Sequence, residues 1–152
     1  VDAVAFIASM IDGSQMLDAG ARRLLAEDAA TAPAILQVLA MDTSETVRIS
    51  VAENPNTPVG TLELLARDHD YEVRSRVAEH PDTTAAALEQ LVREGDEGMR
   101  VLVARHLNTS VSVLEQLVAR GEMDASVPAQ AIERYRLHDV TAGTSGSVGG
   151  DA

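Results

Sequence analysis

The sequence of 152 residues contains no cysteine, no lysine and no tryptophan. Without cysteine the chain can form no disulfide, no thiolate nucleophile and no cysteine-ligated zinc or iron–sulfur site. The absence of disulfides fits a reducing compartment, and we expect a cytoplasmic protein. Aromatic residues make up only 2% of the chain, so a hydrophobic core must consist of aliphatic side chains. Small aliphatic residues suit thin layers of closely packed helices.

Long apolar runs and an excess of basic charge are also missing. No segment reaches the roughly 20 consecutive apolar residues that a membrane-spanning helix needs. The 24 acidic residues outnumber the 12 basic ones, all of them Arg, and give a formal net charge of −12. A nucleic-acid binder needs a positive field to displace counterions from phosphate, and an anionic membrane repels a negative chain. We therefore expect no nucleic acid and no membrane as partners, whereas a basic or neutral protein fits.

Enzyme signatures are absent as well. The sequence has no Gly-rich phosphate loop and no nucleophile elbow. Its Ser, His and Asp residues lack the context of a recognisable catalytic site. We therefore predict that the chain is not an enzyme and holds no cofactor.

What the sequence does contain is a short phrase that returns every 26 residues. Four columns of identical residues follow this step, namely Arg22, Arg48, Arg74 and Arg100; Ala26, Ala52, Ala78 and Ala104; Thr31, Thr57, Thr83 and Thr109; and Leu39, Leu65, Leu91 and Leu117. A sustained period of this length is typical of stacked structural units rather than of a globule with one closed core.

Each repeat carries the signals for two short helices. In residues 70–95, Asp70 is a good N-cap for a first helix, and the residue before Pro81 avoids the helical region and ends it. Thr83 is then predicted to cap a second helix, which Gly95 ends. Neither helix is long enough to be stable alone in water, so stacking must bury their apolar stripes. The stripes predicted to be buried are Ala21, Leu25, Ala26, Leu36, Leu39 and Ala40; Val47, Val51, Ala52, Leu62, Leu65 and Ala66; Val73, Val77, Ala78, Leu88, Leu91 and Val92; and Met99, Val103, Ala104, Leu114, Leu117 and Val118.

The sequence thus predicts an all-α fold, a short α-solenoid of 26-residue two-helix repeats with capping helices. A single repeat domain covers residues 1–138. It consists of an N-terminal capping helix, four repeats and a C-terminal capping helix, assigned in that order to residues 2–17, 18–43, 44–69, 70–95, 96–121 and 122–138. The Gly/Ser-rich residues 139–152 are predicted to form a flexible tail.

A longer phrase carries a resemblance to a known family. It reads Val-Arg-x-x-Val-Ala-x-Asn-Pro-x-Thr-Pro, then Leu-x-x-Leu-Ala-x-Asp, over residues 47–68. Residues 73–94 repeat it with His-Pro for Asn-Pro, and residues 99–118 keep the frame with Leu107 in place of Pro. The pattern resembles the leucine-rich repeat variant family, a bacterial repeat similar in style to HEAT and armadillo solenoids. The resemblance implies a right-handed superhelix of alternating α- and 3₁₀-helices and no common catalytic activity.

The Arg column is a first candidate for binding, because a row of guanidinium groups suits carboxylate or phosphate ligands. Local ion pairs are the favoured interpretation, since an Asp precedes three of the Arg residues by four positions, at Asp18–Arg22, Asp70–Arg74 and Asp96–Arg100. Ser44 breaks this pattern before Arg48. We therefore predict that Arg48 is the member free for a partner.

A second candidate is an acidic column formed by Glu63, Glu89 and Glu115. A solvated helix face is favoured, with ion pairs Glu63–Arg67 and Glu89–Arg93 at i,i+4. The other interpretation is a docking face for a basic partner, because stacked repeats align like charges into rows that produce a field. The candidate partner-binding residues are Arg48, Glu63, Asp68, Glu89, Glu94 and Glu115.

His80 and His106 occupy equivalent positions of neighbouring repeats, but two histidines without further ligands do not predict a metal site. The favoured function is a non-catalytic scaffold, expected to be a monomer, whose repeat surface binds another protein or another domain of the same polypeptide. One alternative is an enzyme or nucleic-acid-processing protein on a HEAT-like frame, which needs a basic concave face. Another is a structural or assembly subunit that polymerises through exposed caps.

Overall fold

Paired α-helices follow one another through the computed structural model, which describes residues 17–121 and 129–133. The helices are α1 (Ala19–Glu27), α2 (Pro33–Leu39), α3 (Glu45–Glu53), α4 (Val59–Leu65), α5 (Tyr71–Glu79), α6 (Ala85–Glu94), α7 (Glu97–Arg105) and α8 (Val111–Ala119). The first helices of the repeats begin at residues 19, 45, 71 and 97, and the second helices at 33, 59, 85 and 111. Within these described ranges there is no β-strand, which confirms the predicted all-α class.

The terminal segments are described only in part. The predicted N-terminal capping helix, except Leu17, and the predicted tail lie outside the described residues. Of the predicted C-terminal capping helix, residues 129–133 are described. They are helical, Ala131 is buried, and Ile132 packs against the core.

Helix type differs from what the resemblance implies. Each helix from α1 to α8 is an α-helix, so the alternation with 3₁₀-helices is not found in residues 17–121. None of the helices in the described part of the chain combines the length and the hydropathy needed to cross a membrane.

The repeats pack in single file. Each first helix packs on the first helix of the next repeat, as α1 does on α3, α3 on α5, and α5 on α7. The second helices α2, α4 and α6 each pack on the first helix of their own repeat and on that of the next. These contacts between neighbours along the chain form a short α-solenoid.

The buried residues follow the predicted stripes closely. Val51 and Val77 from first helices, and Leu62 and Leu88 from second helices, are completely inaccessible to solvent. Four predicted positions are less buried, namely Ala21, Leu25, Val92 and Val118. Three of these belong to the first or the last repeat, which in the described part of the chain has a neighbouring two-helix repeat on one side only.

The predicted N-cap Asp70 of α5 is confirmed, whereas the predicted cap Thr83 of α6 is wrong. Asp18, Asp70 and Asp96 accept hydrogen bonds from backbone N–H groups in the first turns of α1, α5 and α7. The second helices begin two residues after the Thr column, so their N-caps are Ala32, Pro58, Thr84 and Ser110 rather than the Thr residues.

The residues of the Thr column form hydrogen bonds to the C-terminal ends of the first helices. Thr57 Oγ1 donates to the carbonyl oxygen of Val51 at 2.5 Å, and Thr83 Oγ1 donates to that of Val77 at 2.6 Å. Both Thr residues are buried. Each hydroxyl therefore adds a second hydrogen bond to a carbonyl at the end of a first helix, which also accepts from the backbone N–H of the C-cap residue.

Gly95 separates α6 from α7 at a position that has no room for a side chain. A Cβ atom at this position would lie 2.5 Å from the carbonyl oxygen of Leu91 and 2.6 Å from Cβ of Met99. We expect Gly95→Ala to lower the free energy of unfolding by about 1–3 kcal/mol, as overpacking does. Gly60→Ala is the matched control, because a Cβ there meets nothing within 4 Å. Equal melting temperatures for the two variants would contradict the close approach at Gly95.

Candidate interaction surfaces

The Arg column lies within the stack and joins the two ends of a repeat. Arg48 Nε and Nη2 donate to the two carboxylate oxygens of Asp68 at 2.7 and 3.1 Å. Arg48 Nη1 donates to the carbonyl oxygen of Asp42 at 2.8 Å. Arg22 binds the Asp42 carboxylate in the same bidentate way, with Nε donating at 2.6 Å and Nη2 at 3.1 Å. Arg74 Nη1 donates to the carbonyl oxygen of Asp68 at 2.7 Å.

These contacts correct the predictions for this column. The expected i,i+4 partner of Arg22 was Asp18, but the ion pair forms with Asp42, twenty residues along the chain. The N-cap geometry turns the Asp18 carboxylate toward the backbone of its own helix. The prediction that Arg48 is free is wrong, because its side chain is 5% exposed and is bound to Asp68.

Asp68 is held ionised by its surroundings. Burial alone raises the pKa of its carboxyl group, but the hydrogen bonds from Arg48 and from the Asp70 N–H outweigh burial and hold the pKa below its ordinary value. The positive charge of Arg48 acts in the same direction. Since the Asp70 N–H lies 2.9 Å from Asp68 Oδ1, this carboxylate also ties its repeat to the start of the next.

A second set of hydrogen bonds links the repeats at the equivalent positions 54, 80 and 106. Asn54 Nδ2 donates to the carbonyl oxygens of Ala26 and Asp28 at 2.7 and 3.0 Å. His80 Nε2 lies 3.1 Å from the carbonyl oxygen of Asn54, and His106 Nε2 lies 2.9 Å from that of His80. Each side chain thus reaches the backbone of the preceding repeat. The sequence pattern did not predict this role for the two histidines, although their shared column with Asn54 is a signal for it.

Both ring nitrogens of these histidines are used. His80 Nδ1 lies 3.1 Å from the backbone nitrogen of Asp82, and His106 Nδ1 lies 3.0 Å from that of Asn108. The neutral tautomer with hydrogen on Nε2 satisfies every one of these contacts. Within residues 17–121 and 129–133, no group of three acidic or histidine side chains is arranged to hold a metal ion.

The Asn54 site provides a test of the histidine role. We expect His80→Asn to change the free energy of unfolding by less than about 1 kcal/mol, because an Asn makes the equivalent contacts at position 54. His80→Ala should cost about 1–3 kcal/mol, since it removes the side-chain partner of the buried Asn54 carbonyl and of the Asp82 N–H. Urea unfolding measures both. If the Ala and Asn variants proved equally stable, the inter-repeat hydrogen bond would contribute nothing to the free energy of unfolding.

The predicted acidic column lies on the second helices. Glu63 and Glu115 are exposed, and Glu89 is half-buried. Glu89 pairs with Arg93 at 3.8 Å, which confirms that predicted ion pair, while Glu63 accepts a hydrogen bond from Thr84 Oγ1 at 3.1 Å. The side chain of Glu94, the remaining candidate, lies outside the described part of the chain.

Two grooves separate the second helices. The groove between α4 and α6 has a volume of about 300 Å³ and brings Glu63 and Glu89 together with Arg67 and Arg93. The groove between α6 and α8 has a volume of about 270 Å³, and Arg120 lies in its wall. Both grooves are lined by guanidinium groups as well as carboxylates, so the acids on this face do not form a row of one sign.

A more acidic row runs along the first helices. Glu27, Glu53 and Glu79 occupy equivalent positions, and their side chains are 40%, 49% and 49% exposed. Arg76 Nε lies 3.1 Å from Glu53, and its Nη1 lies 3.2 Å from Glu79. Arg76 also pairs with Glu72. This row, which we call the glutamate row (Glu27, Glu53 and Glu79), was missed in the sequence although its members are 26 residues apart.

An apolar groove adjoins the last member of the glutamate row. It lies between the C-terminal ends of α5 and α7 and has a volume of about 460 Å³. Its lining includes Glu79, Pro81, Leu102, Arg105, His106 and Leu107. The Leu107 side chain is 73% exposed. We call it the leucine groove after Leu102 and Leu107, which take the places of Arg76 and Pro81 of the preceding repeat.

Comparison with known proteins agrees with this architecture. The family model described as leucine rich repeat variant matches residues 45–70, which contain α3 and α4. No curated protein and no solved structure matches the chain. Residues 45–70 are therefore similar to one unit of the leucine rich repeat variant, a HEAT-like family of helical repeats, as the residue pattern predicts.

Proposed function

We propose that this chain is a non-catalytic repeat scaffold that binds another protein, or another domain of the same polypeptide, through the outer surface of its stacked repeats. The observation that carries the proposal is a contrast between buried and exposed positions. Buried positions repeat, as Leu62, Leu88 and Leu114 do. The equivalent exposed positions 46, 72 and 98 carry Thr, Glu and Gly. Because stacking requires only the buried positions, the outer surface can vary to fit a partner.

The placement of the Arg residues favours a protein partner over a nucleic acid. Arg22 and Arg48 are bound to buried carboxylates, and Arg23, Arg76 and Arg93 pair with Glu residues. Guanidinium groups that are neutralised in this way do not add up to the basic face that phosphate binding requires. The net charge of −12 also favours a protein partner over a nucleic acid.

The test is affinity capture followed by reconstitution from purified components. The bait is the whole chain, compared with the triple variant Glu63→Arg/Glu89→Arg/Glu115→Arg and with a triple variant of the glutamate row, Glu27→Gln/Glu53→Gln/Glu79→Gln. We expect a captured protein to bind the purified chain again, and one of the two triple variants to lose it without a change in melting temperature.

Two outcomes would contradict the proposal. One is that no captured protein binds again when both components are pure. The other is that the isolated chain turns over a substrate or binds duplex nucleic acid at physiological salt. Sedimentation is expected to show a monomer of 16.1 kDa, and growth into filaments would favour the assembly alternative instead.

A further inference from the structure

We propose that the leucine groove receives one apolar side chain from an extended segment of a partner protein, and that basic residues of the same segment lie along the glutamate row. This inference rests on the proposed function and names the chemistry of the partner. The anchor is of Leu or Met type, and the residues that follow it toward the row are Arg or Lys.

The groove exists because the fourth repeat departs from the pattern of the earlier ones. Ser50 Oγ lies 3.5 Å from Glu27, and Arg76 Nε lies 3.1 Å from Glu53, so both side chains contact the row member of the preceding repeat. Leu102 occupies the equivalent position and has no donor for Glu79. The space is left apolar, and its volume of about 460 Å³ falls within the range of about 300–1,000 Å³ typical of ligand pockets.

The charges beside the groove select the partner. Around Arg76 three half-exposed carboxylates, those of Glu53, Glu72 and Glu79, face one guanidinium group. Exposed ion pairs of this kind contribute little to stability, so a cation of the partner can share these carboxylates at small cost. Arg105 lines the same groove and replaces Glu in the row. Its charge repels a basic residue on that side and directs the basic residues of the partner toward Glu79.

The distance between neighbouring repeats sets the spacing of the basic residues along the partner's segment. Packed helices lie about 8–10 Å apart, and an extended chain advances about 3.3 Å per residue. Successive members of the glutamate row are therefore about three extended residues apart. A matching segment has its basic residues roughly three and six positions from the apolar anchor.

The experiment uses fluorescein-labelled peptides with Leu at one end, Arg at the third and sixth positions from it, and Gly or Ser elsewhere. Both chain directions are made. We expect saturable binding to the whole chain by fluorescence anisotropy, with one direction preferred. The affinity should fall as salt rises from about 0.05 to 0.5 M, because exposed charges are screened. Probes with Glu for Arg, or with Ser for Leu, should bind more weakly.

Three variants locate the site. Leu107→Ser should weaken probe binding about tenfold, the value of roughly two buried methylene groups. Leu102→Arg, which restores the residue type of position 76, should weaken it similarly. Leu64→Ser is the matched control, because Leu64 is an exposed Leu on α4 (50% exposed) and its replacement should leave the affinity unchanged. Circular dichroism checks that all three variants fold.

The proposal is overturned if neither peptide direction binds saturably, or if Leu107→Ser and Leu102→Arg bind like the unmodified chain. The proposed scaffold function is tested separately, by measuring how the reconstituted partner protein binds the same variants. A partner that binds Leu107→Ser normally but is lost by the triple variant of Glu63, Glu89 and Glu115 would keep the scaffold function and refute the leucine groove. A partner protein that the peptide displaces would support both the scaffold function and binding at the leucine groove.

Discussion

Arg48→Met is expected to lower the free energy of unfolding by about 3–5 kcal/mol, the usual cost of removing one partner from a buried ion pair. Met fills most of the volume but leaves the Asp68 carboxylate, 7% exposed, without its two guanidinium hydrogen bonds. The Asp42 carbonyl oxygen loses a donor as well. Urea unfolding at neutral pH measures the loss.

Arg67→Met is the matched control for this substitution. Arg67 is an exposed residue one position before Asp68, and its replacement should change the free energy of unfolding by no more than about 0.5 kcal/mol. Similar losses for the Arg48 and Arg67 variants would show that the buried pair does not hold the two ends of the repeat together.

The cost of Arg48→Met should also depend on pH. A carboxyl group whose folded pKa is lowered contributes stability above its ordinary pKa, near 3.8, and this contribution is lost as the pH falls through the folded value. Without Arg48, burial dominates and raises the pKa of Asp68, so the variant loses stability as its buried carboxyl ionises. The difference in unfolding free energy between the two proteins should therefore be larger at pH 7 than at pH 3. An equal difference at both values would contradict the electrostatic explanation.

Leu91→Ala is expected to cost about 2–5 kcal/mol, the range for truncation of a buried Leu. Leu91 lies on α6 and is 1% exposed. Because each repeat contacts mainly its neighbours, the loss of amide protection in hydrogen exchange should be concentrated in α5, α6 and α7. Leu64→Ala, the same substitution at a half-exposed site on α4, should be close to neutral. Equal effects of the two substitutions would refute the assignment of the buried stripe.

The buried frame of the fold could be predicted because it depends on local spacing. Apolar residues at helical intervals predicted Val47, Val51 and Leu62 as core positions, and an Asp before such a stripe predicted the N-cap at Asp70. Each of these features involves residues within a few positions of one another along the chain.

The contacts that connect distant segments were predicted wrongly or missed. Arg48 binds Asp68 twenty residues away, after the chain has run down one helix and back along another. A local rule for helix pairs cannot find such a partner. Arg22 and Asp42 are as far apart in the sequence as Arg48 and Asp68. This spacing indicates an ion pair only once the two helices of a repeat are known to pack against each other.

The surface features were hidden for a different reason. The leucine groove requires a Leu at position 102, a Leu at position 107 and the Glu79 carboxylate at the end of the neighbouring helix α5. Each residue taken alone resembles an ordinary deviation from the repeat. Stacking places them side by side, and only the packed first helices show that they share one surface.

Spin-label distances test most directly whether the repeats stack in single file. The chain has no cysteine, so nitroxide labels attach only where a cysteine is introduced. The pairs Glu27→Cys/Glu79→Cys and Glu27→Cys/Arg105→Cys span two and three repeat steps from exposed, equivalent positions. With about 8–10 Å per step, we expect backbone separations of about 16–20 Å and 24–30 Å. A pair three steps apart that is no farther apart than the pair two steps apart would contradict the stacked arrangement.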